Sequence, residues 1–262
     1  MPPKRAAAAP AAPAETETAK KFKSAMDSMA DDWVCPITTE LPLDPVMAED
    51  GQVYERSAIE EAIRVQGAAL KSPMTNLPMG PRLTASNQAR NTIEKLVRSG
   101  MIKGDKAERW LERLSQEEMV KETVQQAEGG DVKAMFNLSL WYERGENGLV
   151  KDFAASTRWL KMGSDLDDPA CMSSYGRACI HGKGTAENPM FGVALKIQAA
   201  TMGSKNAASD VGDYFWFGRH GFSQDVERAK YWYRKVVMNK INDLGQSCID
   251  EAAERLLLDG PA

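Results

Sequence analysis

The chain has 262 residues, a net charge of −4 and a hydrophobic content of 43%. This length predicts one or two domains with enough apolar side chains for a core. The acidic balance excludes binding of nucleic acid or membranes through bulk positive charge. No apolar run approaches the roughly 18 to 20 residues that a transmembrane helix needs, so we expect a soluble protein without a membrane span.

The cysteines and histidines are too scattered for a zinc finger. Tetrahedral zinc sites use four close ligands, usually with Cys-x-x-Cys pairs, and no such pair occurs. A disulfide framework is not expected either, because the chain is not dense in cysteine and shows no secretory signal. We therefore expect free thiols in an intracellular protein, with no metal and no cofactor; the residues concerned are Cys35, Cys171, Cys179, Cys248, His181 and His220.

The first part of the chain divides into a tail and a compact segment. Residues 1–28 are rich in alanine and proline and contain one aromatic residue, Phe22. Such a segment buries too little surface to offset its chain entropy, so we predict a disordered tail. Residues 29–100 differ from the tail in composition. Within them, two short apolar runs flank Asp50-Gly51. Both turn residues tolerate positive φ, which predicts a β-hairpin.

Helix and loop signals complete the segment 29–100. Ser57 and Glu60 have the spacing of a capping box and predict a helix there. Three prolines within 71–81 predict a loop, and a second helix is expected near Ser86. These elements together indicate a small α+β domain with two long loops.

A charged helical connector is predicted over residues 101–126. Within it, Ser115 and Glu118 have the spacing of a second capping box.

Residues 127–240 contain an internal repeat with a period of 36 to 37 residues. Apolar and small residues recur on one helical face that ends in glycine, and a second helix follows an acidic or amide residue. Three such helix pairs predict an all-α solenoid, and residues 241–262 predict a C-terminal capping helix with Leu244, Cys248, Ile249, Ala252 and Leu256 on its inner side. The recurring sets are Ala134/Cys171/Ala207, Leu138/Tyr175/Val211, Tyr142/Cys179/Phe215, Gly145/Gly182/Gly218, Asp152/Asn188/Asp225 and Trp159/Leu195/Trp232.

The segment 31–100 resembles a U-box, which has the RING-finger fold without zinc. The resemblance implies that carboxylates, hydroxyls and backbone groups replace the metal. It rests on Cys35-Pro36-Ile37, Asp44-Pro45-Val46, Gly51, Tyr54-Glu55-Arg56, Ile59-Glu60-Glu61 and Ser72-Pro73-Met74-Thr75. The repeats at about 127–240 are similar to SEL-one-like repeats, relatives of the tetratricopeptide repeat, although the match weakens in the second unit.

The U-box resemblance implies a ubiquitin-protein ligase. Members of that family bind a ubiquitin-charged conjugating enzyme and promote transfer of ubiquitin to a substrate lysine. They form no covalent intermediate, so no catalytic residue is expected, and the ligase acts by proximity. The expected partners are the conjugating enzyme, ubiquitin, and a protein substrate or adaptor on the solenoid. The sequence leaves open whether the protein forms a homodimer. We expect a cytoplasmic location, with the nucleus as the alternative.

The family pattern also implies which residues meet the conjugating enzyme. Three positions depart from that pattern, because Ala62 replaces a larger anchor, Thr39 replaces an apolar contact, and Asn76 lacks the charge of an arginine or lysine. These departures motivate an alternative function, a non-catalytic scaffold or adaptor with a degenerate structural U-box. A zinc-dependent RING ligase is a third interpretation. The implied docking residues are Ile37, Thr39, Ala62, Pro73, Met74 and Asn76.

Overall fold

The computed structural model describes residues 31–238, 246–258 and 260. These residues fall into two compact units, with the division between Ser115 and Gln116. The predicted tail at 1–28, Leu244 and the side chain of Cys248 lie outside the described residues. Within the described part of the chain, no helix is long and apolar enough to cross a membrane.

The first unit is built on a three-stranded antiparallel sheet. The strands are β1 (Pro45–Ala48), β2 (Val53–Glu55) and β3 (Leu83–Ala85), in the order β2-β1-β3. Strands β1 and β2 form the predicted hairpin, with Val46 opposite Tyr54. Gly51 has a φ of 79° in the connecting turn, which explains why the turn needs glycine.

Two helices complete the α+β part of this unit, namely α1 (Arg56–Gln66) and α2 (Asn87–Arg98). Ser86 caps α2 by accepting a hydrogen bond from the backbone N–H of Ala89, as its position predicts. The capping box predicted for α1 is wrong. That helix begins at Arg56, two residues before the start that a Ser57 cap predicts, and its N-cap residue Glu55 makes no capping hydrogen bond because its carboxylate has other partners, described below.

A long helix, α3 (Asp105–Glu128), occupies most of the predicted connector. It runs without interruption through Ser115, so the second predicted capping box is also wrong. Its first half supplies Trp110 and Leu114 to a buried cluster that includes Leu41 and Ile93. The core of the first unit therefore extends beyond residue 100 into the first half of this helix.

The second unit consists of helix pairs in an all-α arrangement. The pairs are α4 (Val132–Arg144) with α5 (Phe153–Asp165), α6 (Pro169–His181) with α7 (Pro189–Thr201), and α8 (Lys205–Phe217) with α9 (Val226–Met238); α10 (Gln246–Leu256) follows. Each helix packs on its neighbours in chain order, as the period predicts for a solenoid. The buried face of α10 carries Ala252, and Ile249 and Leu256 pack against the same core.

Both ends of the repeat helices follow the predicted capping pattern. Gly145, Gly182 and Gly218 end α4, α6 and α8 in the left-handed conformation, which glycine adopts without strain. Asp152 and Asn188 cap the N-termini of α5 and α7. Local sequence therefore marks the C-terminal ends of the first helices and the N-terminal ends of the second.

In the second helix pair, the backbones of α6 and α7 approach each other closely. A Cβ at Gly176 of α6 would lie 2.7 Å from the carbonyl oxygen of Gly192, and a Cβ at Gly192 would lie 2.4 Å from the carbonyl oxygen of Gly176. Only glycine fits at such crossings. The two glycines therefore fix how closely α6 and α7 pack.

Candidate docking loops of the first unit

Two loops of the first unit share one hydrogen-bond pattern. We call residues 35–40 the first loop and residues 72–77 the second loop. In the first, the N–H of Cys35 donates to the carbonyl of Glu40 at 2.9 Å, and the N–H of Thr39 donates to the carbonyl of Cys35 at 2.8 Å. In the second, Ser72 pairs with Leu77 and Asn76 pairs with Ser72 in the same way, both at 2.9 Å.

The shared pattern extends to side chains and burial. A threonine hydroxyl in each loop accepts from the N–H two residues later, and each loop begins with a buried residue, Cys35 at 0% and Ser72 at 3% exposure. Thr39 and Asn76 occupy equivalent positions, with φ values of 59° and 58°. Their common role in the structure is to let the chain reverse, because a left-handed residue closes each turn.

The second loop is held by a cluster of polar side chains next to the sheet. The Ser72 hydroxyl accepts hydrogen bonds from the N–H groups of Met74 and Thr75, and it also hydrogen-bonds Asp50. The Tyr54 hydroxyl donates to Asp50 at 2.7 Å. These contacts tie the loop to strand β2 and its turn.

The pKa values of Asp50 and Tyr54 in this cluster reflect the same contacts. Burial raises the pKa of Asp50, but hydrogen bonds from Ser72, the Gln52 N–H and Tyr54 outweigh it and hold the pKa below its ordinary value. Burial and the bond to Asp50 raise the pKa of Tyr54 to about 12. At neutral pH the phenol is therefore a donor and the carboxylate an acceptor, which is the pairing that the hydrogen bond requires.

The chain that follows the first loop is held by a buried carboxylate. Glu55, whose side chain is 9% exposed, accepts from the N–H of Leu43 at 2.8 Å and from the N–H of Asp44 at 3.2 Å. Arg113 of α3 completes its environment with an ion pair at 2.6 Å and also donates to the carbonyl of Leu41. A buried carboxylate is stable only with such partners.

The residues with predicted docking roles divide by exposure. Ile37 is 37% exposed and Met74 is 60% exposed, and they hold the third position of their loops. Pro73, Thr39 and Asn76 are also exposed. Ala62 is half-buried and packs against the core, so it offers less surface than the other five.

One buried cluster joins the elements that carry these residues. It contains Cys35 at the start of the first loop, Tyr54 of β2 and Ile59 of α1, with Ala62 of α1 and Met79 after the second loop packed against it. The two loops and α1 are thus fixed to a common core. Their role in binding a conjugating enzyme stays a prediction.

Sequence reasoning missed two parts of this site. The first is the ion pair between Glu55 and Arg113, which are 58 positions apart in the sequence. Neither periodicity nor motif spacing indicates this pair. The relation of the two loops did leave a signal, because Cys-Pro-Ile-Thr at 35–38 and Ser-Pro-Met-Thr at 72–75 differ only in a core residue and an exposed apolar residue. Comparing those two segments would have revealed the shared turn.

The predicted replacement of metal ligands by polar groups has its counterpart in this geometry. A carboxylate, hydroxyls and backbone N–H groups hold the loops, and the described residues contain no cluster of three or more histidine, cysteine, aspartate or glutamate side chains suited to a metal ion. A U-box domain model matches residues 29–100, and a Sel1 repeat model matches residues 132–168 and 205–236. The chain carries a U-box domain followed by Sel1 repeats.

Relatives share the U-box segment. The chain is 48% identical over 58 residues to "WD repeat, SAM and U-box domain-containing protein 1" of Danio rerio, a match that covers 22% of this chain and 12% of the relative. It is 32% identical over 85 residues to "U-box domain-containing protein 43" of Arabidopsis thaliana, covering 31% of this chain and 10% of that protein. The similarity therefore spans only a small part of each relative.

The Sel1 model leaves the second helix pair unmatched. That pair, α6 with α7, nevertheless has the same helix lengths and caps as its neighbours. Cys171 and Cys179 are buried there, and burial raises the pKa of both thiols, consistent with their predicted role as small apolar residues. A Sel1 repeat protein from Oxalobacter formigenes is 27% identical, with a TM-score of 0.43, over 52% of this chain and 95% of that one.

Proposed function

We propose that the protein is a ubiquitin-protein ligase whose U-box binds a ubiquitin-charged conjugating enzyme and whose repeats recruit a substrate or adaptor. The supporting observation is the pair of matched loops, which present Ile37 and Met74 at the same position of the same hydrogen-bonded turn. Exposed apolar side chains on fixed loops suit a small transient interface, usually below about 1,200 Å². The ligase supplies no nucleophile, and holding the conjugate near its target is its contribution to the rate.

The decisive experiment is an autoubiquitination assay with a panel of conjugating enzymes. We expect ubiquitin ladders with at least one enzyme, and an initial rate at least about tenfold lower for Ile37→Ala and Pro73→Ala, because truncating a central apolar anchor costs about 1–2 kcal/mol or more. Met101→Ala is the matched control, since Met101 is 47% exposed but lies outside both loops. Thermal melting would show that each variant is folded.

The scaffold alternative predicts a different result. The half-buried Ala62 favours it, because a truncated anchor on α1 reduces the surface available for docking. A folded protein that forms no ladder and binds no conjugating enzyme of the panel would contradict the ligase proposal and support the scaffold.

A further inference from the structure

The interface between the first and second helix pairs contains a pocket. It lies between α5 and α6, next to the C-terminal end of α4, and has a volume of about 170 Å³. We call it the interrepeat pocket. It is built from residues within 143–183, a part of the chain that the structure describes without a gap. The lining residues that matter most here are Glu143, Phe153, Leu160, Ser174, Arg177 and Lys183.

The inner walls of the pocket are apolar, and its size suits one side chain. Leu160 and Ala178 are 5% and 7% exposed, and Phe153 is half-buried. An apolar cavity of about 150 Å³ is large enough to bind benzene. The interrepeat pocket therefore has room for one side chain with a ring of that size, such as phenylalanine.

The rim of the pocket places one carboxylate among several cations. Glu143 accepts a hydrogen bond from Lys183 at 2.7 Å and lies 3.7 Å from Arg177. That hydrogen bond, helped by the positive charges of Arg177 and Arg144, outweighs burial and holds the pKa of Glu143 below its ordinary value. Arg144 has an acidic partner in Glu146 at 3.4 Å. The rim therefore sets two cations, Arg177 and Lys183, against the single charge of Glu143.

Arg177 is the cation that an incoming ligand meets most readily. Its contact with Glu143 is too long for a hydrogen bond, so Glu143 does not saturate the guanidinium. The Arg177 side chain is 57% exposed, and a guanidinium can bind a carboxylate through two parallel N–H donors. The Lys183 ammonium lies 4.4 Å from the centre of the Phe153 ring. The charged rim thus adjoins the apolar wall.

The next interface of the solenoid is closed by charges of the chain itself. Positions 36 residues further along hold Lys196, Asp210 and Asp213 in place of Leu160, Ser174 and Arg177. The Lys196 side chain is buried, pairs with Asp210 and donates to the Ser173 hydroxyl at 3.3 Å. The first interface has an apolar and a small side chain where the second has this ion pair, and an arginine where the second has Asp213. The substitutions thus favour a pocket with a cationic rim at the first interface.

We propose that the interrepeat pocket binds a peptide segment in which an apolar side chain of phenylalanine size stands next to an acidic residue. The apolar side chain enters the pocket beside Phe153 and Leu160, and the neighbouring carboxylate pairs with Arg177. The inference rests on the proposed recruiting role of the repeats, and it names the chemistry of what they recruit. It does not require that the U-box be active.

The probe is an unlabelled synthetic peptide with one phenylalanine between two glutamates, flanked by glycine and serine. Its binding to the full chain is measured by isothermal titration calorimetry. We expect saturable binding of one peptide per chain, weakened about tenfold by Arg177→Gln, because charge-assisted hydrogen bonds are roughly twice as strong as neutral ones. Arg158→Gln is the matched control. Arg158 is an exposed arginine of α5 outside the pocket lining, and its replacement should change affinity less than twofold.

A second variant tests the cavity itself. Ser174 is half-buried and lines the pocket, so Ser174→Phe places a ring where the ligand ring is proposed to lie. We expect this variant to lose binding, and thermal melting shows whether it is folded. Retained binding by a folded Ser174→Phe variant would overturn the proposal.

Two altered peptides test the proposed recognition without changing the protein. Replacing the phenylalanine by alanine, or both glutamates by glutamine, should each weaken binding. No binding of the original peptide, equal affinity for the Arg177→Gln variant, or equal binding of the alanine peptide would overturn the proposal. Displacement of the peptide by a single-stranded polyuridylate oligonucleotide would also overturn it, since that result indicates a general polyanion site.

The same variants separate this inference from the ligase proposal. Arg177→Gln should retain the autoubiquitination rate of the unmodified protein, because Arg177 lies outside the U-box. Peptide binding that depends on Arg177, in a protein without ligase activity, would support the interrepeat pocket and contradict only the ligase proposal. Ubiquitin ladders without peptide binding would contradict only the pocket.

Discussion

Thr39 and Asn76 place two different side chains in the same left-handed backbone conformation. Asparagine tolerates that conformation, whereas a β-branched residue is strained in it by roughly 1–2 kcal/mol. The first loop is therefore less well adapted to its turn than the second. Among the described residues, the exposed threonine hydroxyl donates only to the adjacent carbonyl of Thr38, so little would be lost by replacing it.

Replacing Thr39 by asparagine should stabilise the U-box. We expect the free energy of unfolding to rise by about 0.5–1 kcal/mol, because Asn is the residue that the equivalent turn already uses. Urea denaturation of the variant and of the unmodified protein measures the change. Thr75→Asn is the control, since Thr75 is exposed and does not have a positive φ; a gain of the same size there would contradict the argument from backbone strain.

At the scale of elements, the first half of α3 belongs to the core of the U-box unit. Trp110 is 1% exposed and donates its indole N–H to the carbonyl of Pro42. The interaction of Arg113 with Glu55 adds a charge contact to this packing. The unit that folds together therefore includes residues beyond those that the domain model matches.

Arg113→Met should destabilise the U-box unit more than a surface substitution does. We expect a loss of about 2–3 kcal/mol, below the value for a fully buried pair because Arg113 is about one-third exposed. Arg109→Met is the matched control, since its ion pair with Glu40 is more exposed and should contribute less than about 1 kcal/mol. Equal losses in chemical denaturation would show that burial of Glu55 is unimportant.

Close helix contact in the second repeat makes a separate prediction. Gly176→Ala should lower the stability of the solenoid by about 1–3 kcal/mol, because the new Cβ meets the carbonyl oxygen of Gly192. Ser139 lies 37 residues before Gly176, one repeat period, and so holds the equivalent position in the first repeat. Ser139→Ala is therefore the control and should change stability less. Thermal unfolding followed by circular dichroism measures both variants; an unchanged melting temperature for Gly176→Ala would mean that α6 and α7 separate at little cost.

At the scale of the whole molecule, the sequence predicted turns and helix ends better than it predicted contacts between residues far apart in the chain. The Asp50-Gly51 hairpin and the glycine ends of the repeat helices are set by neighbouring residues, and the structure confirms them. The start of α1 was mispredicted because Glu55 is satisfied by Leu43, Asp44 and Arg113 rather than by its own helix. Such long-range contacts leave no periodic signal in a single sequence.

The molecule as a whole should be insensitive to chelation. Prolonged incubation with EDTA, followed by dialysis into magnesium-containing assay buffer, should leave the melting temperature and the autoubiquitination rate unchanged. The reason is that Glu55 and Ser72 hold the loop backbones by hydrogen bonds. A lower melting temperature that zinc restores would contradict this account.

The two matched loops also define an interchangeable unit. Because 35–40 and 72–77 close with the same hydrogen bonds and a left-handed residue at the same position, either six-residue sequence can adopt the backbone of either site. The site-dependent exceptions are the buried first residue and Glu40, which pairs with Arg109. Exchanging the segments 36–40 and 73–77 would swap the exposed isoleucine of the first loop with the exposed methionine of the second. Under the proposed function, we expect this exchange of five residues to change which conjugating enzymes support ubiquitin transfer.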